Sequence, residues 1–75
     1  METIRGRIVH VLETWPLQLV VESAGRRHDV RLSDTTRITR SGGNADPGQL
    51  QPNMEIEISG ETAGSTMVAQ SIAIR

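Results

Sequence analysis

The stretch RLSDTTRITRSGG, Arg31 to Gly43, sets Arg31, Arg37 and Arg40 among hydroxyl side chains and closes on two glycines. Guanidinium forks beside hydroxyls are what a phosphate-binding segment would use. A P-loop needs more, namely a Gly-Lys-Ser/Thr end running into a helix. The SGGNADPG that follows has glycines but neither feature, and reads as a loop. A second constellation, His28, Asp29 and Ser33, contains the residue types of a hydrolytic triad. Neighbours on a strand point to opposite faces, so His28 and Asp29 are not expected to converge. His10 and His28 are the two histidines, and with no acidic cluster beside them they make a weak metal site. His28 is expected to be partly buried with a hydrogen-bond partner. No catalytic residue, metal ligand or cofactor is expected.

The arginines divide by strand. Arg5 and Arg7 should face outward on a first strand, opposite Glu55 and Glu57 on a fourth. Such cross-strand pairs are worth roughly 0.2–1 kcal/mol each. Arg27 and Arg31 should face outward on a third strand, with Asp29 between them. Arg37 and Arg40 should flank the glycine loop. Trp15, the single aromatic residue, sits in ETWPLQ before Pro16. It is expected to cover the mouth of the core, the alternative being a partner hot spot. These five residues, Trp15, Arg27, Arg31, Arg37 and Arg40, are the candidate contacts.

The elements that must hold them are strands. TIRGRIVHVLE alternates with Ile4, Gly6 and Ile8 on one face, then shifts to Val9 and Val11, which predicts a bulge near Gly6 to His10. PLQLVVES puts Leu17, Leu19 and Val21 inward. SAGR is a tight turn with Gly25 at positive φ. RRHDVRLS puts His28, Val30 and Leu32 inward, and TRIT carries the pattern through Thr36 and Ile38 after a turn at Ser33 and Asp34. NMEIEISG buries Met54, Ile56 and Ile58. TMVAQSIAIR is expected to bury Val68, Ile72 and Ile74. The one helical candidate is DPGQLQP, a single turn capped by Asp46 with Pro47 at its first position.

Composition bounds the rest. The 75 residues suit one domain, 1–75, with a small aliphatic core. All eight basic residues are arginine and the net charge is −1, so the strongly basic overall field of many nucleic-acid binders is missing. The absence of cysteine excludes disulfides. No apolar run approaches the ~20 residues of a membrane span, so no membrane insertion is expected. The N-terminus lacks the apolar core of a signal peptide. The chain as it stands is expected to be cytoplasmic, or exported if it is excised from a longer precursor.

These strands predict an all-β fold, a five- to six-stranded closed or partly open barrel with little or no helix. The long first strand, tight second-to-third hairpin and long third-to-fourth connection match the OB-fold order, with an SH3-like barrel as the alternative. The series RGRIV, LQLVVE, HDVRLSDTTRIT, LQPNMEIEISGE and MVAQSIAI resembles a family of bacterial domains of unknown function. Its shared features are Gly6, Thr36-x-Ile38, Met54 to Gly60, and Ala69-x-x-Ile72. The resemblance implies a small OB-like β-barrel, found singly or in tandem in exported proteins. Asn53 stands where that family usually has glycine. The segment GRIVHVLETWPLQLVVESAGRRHDVRLS is more weakly similar to the S1-type OB domain of bacterial translation initiation factor 1, which binds ribosomal RNA. The expected role is a non-enzymatic binding or scaffolding module with a protein partner. The alternative is an OB-type nucleic-acid binder using Arg27, Arg31, Arg37 and Arg40, with weak affinity.

Overall fold

The computed structural model describes residues 1–14 and 16–75. Its strands are β1 (Glu2–Leu12), β2 (Gln18–Ser23), β3 (Arg26–Arg31), β4 (Arg37–Arg40), β5 (Gly43–Asn44), β6 (Glu55–Ala63) and β7 (Thr66–Ile74). A three-residue 3-10 turn, Pro47–Gln49, is the one helical piece among the described residues. No helix there is long and apolar enough to cross a membrane.

Period-two alternation decides these strands, because one face of each must meet a common core. Ile8, Leu19, Val21, Val30, Ile38, Ile56, Ile58 and Ile72 are all buried in one cluster, as the alternation predicts. Leu32, Leu50, Met67, Ala69 and Ile74 complete it, and no polar side chain among the described residues is buried with them.

The sheet closes on itself. β2 pairs antiparallel with β1 and β3, β6 pairs antiparallel with β1 and β7, and β3 meets β7 in parallel. That order is an OB-like barrel. The third wall carries the turn expected after β3, at Ser33 to Thr36. It is broken: β3 lies against Thr66 to Val68, and β4 lies against Ser71 to Ile74 on the same edge of β7. β5 then pairs with the outer edge of β4.

Two bulges let so short a barrel coil. Ile8 pairs with Val21 and His10 with Val20, leaving Val9 extra. Ser59 pairs with Ser71 and Gly60 with Ala69, leaving Gln70 extra. A one-residue insertion inverts the buried face. This corrects the expectation for Val68, which is half-buried while Met67 and Ala69 are buried. A Cβ on Gly60 would overlap the Val68 carbonyl oxygen, so only glycine fits the bend.

Local turns follow their residues. Ala24 and Gly25 both have positive φ, 53° and 77°, as a two-residue hairpin turn requires. Asn53 takes φ 76°, the left-handed conformation that asparagine tolerates. Asp46 and Pro47 stand at the expected start of the turn. The Asp46 side chain makes no capping bond, contrary to expectation; the Gln49 amide bonds the Asp46 carbonyl at 3.0 Å instead.

Candidate functional site

The broken third wall gathers the unpaired positive charge. Arg27, Asp29 and Arg31 are exposed on the outer face of β3. Arg37 and Arg40 are exposed on β4, in line with β3 along β7. Arg26 is exposed at the β2–β3 hairpin. Residues 26–40 thus hold five arginines against Asp29 and Asp34, a net +3, and the remaining residues hold three arginines against seven carboxylates, a net −4. Among the described residues, none of those five arginines enters an ion pair.

The other three arginines are committed to structure. Arg5 and Glu57 are opposite each other on β1 and β6, and Arg5 Nε donates to Glu57 Oε2 at 2.6 Å. Arg75 reaches the same oxygen at 3.3 Å. The Arg5 hydrogen bond, opposed by desolvation and aided by the charges of Arg5 and Arg75, holds the Glu57 carboxyl below the usual carboxylate range. Arg7 is in register with Glu55 as expected, but its ion pair is with Glu22 on β2, at 3.9 Å. β1 lies between β2 and β6 at Arg7, so both carboxylates were available.

The remaining chemistry-bearing residues are dispersed. His28 is half-buried and lines a cleft of about 470 Å³ with Asp29, Glu2, Thr3, Thr62 and Ser65 above a floor of Ile4 and Met67. Ser33 lies outside that cleft, in the turn after β3, with its hydroxyl 3.1 Å from Thr35 Oγ1 and 3.3 Å from Thr36 Oγ1. His10 is exposed on β1. No cluster of three metal-ligating side chains exists among the described residues.

Of the candidate contacts, Arg27, Arg31, Arg37 and Arg40 share one wall, whereas Trp15 lies outside the described residues. Sequence reasoning missed Arg26 and missed the segregation itself. A running charge count would have found both, since residues 26–40 are basic within an acidic chain.

No family model matches the sequence, and no curated protein sequence matches it. Among solved structures, the chain is similar to the crystal structure of a full-length MCM homolog from Methanopyrus kandleri, with a TM-score of 0.71 at 22% identity. The match covers 97% of this chain and 13% of that one, so the chain corresponds to a small part of the archaeal protein. The likeness is one of fold, and it supports the OB-like barrel.

Proposed function

We propose that this barrel is a non-enzymatic binding module whose ligand is the phosphate backbone of single-stranded nucleic acid, lying along β3 and β4. The observation that carries this reading is the row of unpaired arginines on the third wall of an otherwise acidic chain. Arginines already neutralised by carboxylates have little left to offer a phosphate, and those three are elsewhere. Counterion release by the free ones supplies affinity without base recognition. The OB-like fold supports the same reading. A protein partner, the first expectation from the sequence, has no comparable feature behind it among the described residues.

Affinity is expected to be modest. Base stacking on aromatic side chains can add about 1–3 kcal/mol per base, and Trp15 is the only aromatic residue. Short DNA or RNA strands should bind in the nonspecific range, about 10⁻⁴–10⁻⁶ M at physiological salt. The test is titration of labelled oligonucleotides at two salt concentrations. Arg27→Ala/Arg31→Ala should weaken binding and flatten the salt slope. Salt-independent binding, or binding that the double variant leaves untouched, would overturn the reading.

A further inference from the structure

The break in the third wall also makes a cleft. β3 leaves β7 at Val68 and β4 joins it at Ser71, so Ala69 and Gln70 have no strand opposite them on that edge. Gln70 is also the bulged residue against β6, unpaired there too, and it is exposed. Bulges re-aim side chains in this way. The turn through Ser33 to Thr36 stands opposite. Between them lies a cleft of about 380 Å³, lined by Met1, Thr35, Arg37, Gln70 and Ser71.

The lining is rich in donors. It offers the free Arg37 guanidinium, the Thr35 and Ser71 hydroxyls and the Gln70 carboxamide, and it contains no carboxylate. Asp34 belongs to the same turn but does not line the cleft. Arg27, Arg31 and Arg40, by contrast, do not line it and meet solvent from the open outer surface. An oxyanion with two free oxygens suits this set, because a guanidinium fork can hold both oxygens while neutral donors reach the flanks.

We propose that the cleft at the β3–β4 break is a phosphate seat, with Arg37 as its fork and Gln70, Ser71 and Thr35 as its neutral donors. This rests on the reading above for its ligand, one phosphodiester of the bound strand. The seat fixes where that strand sits, while the other arginines act as point charges. Arg37 is then sensitive to side-chain geometry and Arg40 to charge alone.

The experiment uses the full chain, two probes and two conservative variants. Inorganic phosphate should shift the amide resonances of Thr35, Arg37, Gln70 and Ser71 along one saturating curve. Arg37→Lys should weaken oligonucleotide binding about tenfold, the loss of one charge-assisted hydrogen bond, and Arg40→Lys should change it by less than about twofold. Gln70→Ala should weaken it in the same direction as Arg37→Lys. Thermal midpoints of the variants check that each is folded. Equal effects of the two lysine variants, or phosphate shifts spread evenly over all the wall arginines, would overturn the seat. Saturable phosphate binding at the break without any oligonucleotide binding would uphold the seat and overturn the proposed function.

Discussion

The Thr36 hydroxyl donates to the Ala69 carbonyl at 2.7 Å, across the point where the third wall is broken. The same oxygen accepts from the Ser33 amide at 2.8 Å. One side chain therefore closes the turn and satisfies a carbonyl that neither β3 nor β4 reaches. Thr36→Val keeps the shape and leaves both backbone groups unpaired. It should cost about 2 kcal/mol, or ~10 °C in thermal midpoint for a chain of this size. Thr36→Ser should keep most of the stability. Equal midpoints for the valine and serine variants would show that the bond contributes nothing.

Gly60 gives a sharper steric case. Its added Cβ would meet backbone, which cannot swing aside as a flexible side chain can. Gly60→Ala should therefore destabilise by more than about 2 kcal/mol in denaturant unfolding. Gly48, with open space around it, is the control. Gly48→Ala should be neutral or slightly stabilising, and similar costs at both sites would refute the overlap.

Ala24 works against its own turn. Its φ of 53° suits asparagine or glycine better than alanine. Ala24→Asn restores the Asn-Gly pair favoured in this hairpin and should stabilise by about 0.5–1 kcal/mol. A lower thermal midpoint for the variant would show that alanine is held there by contacts rather than tolerated.

Glu57 sets a pH dependence. Its carboxyl is held below the ordinary value near 4.5, chiefly by the hydrogen bond from Arg5. A lowered folded-state value means that the contribution is full above the unfolded value. It is lost as pH falls through the folded one. Comparing Glu57→Gln with the parent, thermal midpoints should differ most at neutral pH and converge in acid. Arg5 is largely exposed, so high salt should shrink the difference. A gap that widens in acid would reverse the sign and reject the assignment.

Much of the barrel was legible because burial imposes a period. Ile56 and Ile58 could be placed from MEIEIS alone, and Arg5 opposite Glu57 followed once the strand order was set. Val68 was misplaced because the extra residue, Gln70, lies downstream of it, and alternation read backward from Ile72 and Ile74 crosses the bulge unawares. The choice of Glu22 over Glu55 by Arg7 was hidden because a strand has two neighbours and a sequence shows neither. The turn at Ser33 and Asp34 was legible from its residues, but the gap it leaves along β7 was not. TRIT continues the alternation of RRHDVRLS whether or not the ladder is interrupted, so the cleft at Gln70 leaves no periodic trace.

The parallel contact of β3 with β7 also decides when the barrel becomes a barrel. It consists of three residue pairs, and Asp29 meets Thr66, 37 positions along the chain. The hairpins joining β1, β2 and β3, and β6 to β7, need only short loops and form on the microsecond scale. The seam between β1 and β6, with six pairs, is distant too but twice as long. Closure at β3 is thus expected to be a late step in folding and an early one to reverse on heating. The opened molecule would present two unsatisfied edges, β3 and β7, to other chains. Amide exchange at Arg31, whose N–H faces β7, faster than at Val30, whose N–H faces β2, would mark that opening, and the temperature at which it begins would set where this protein starts to aggregate.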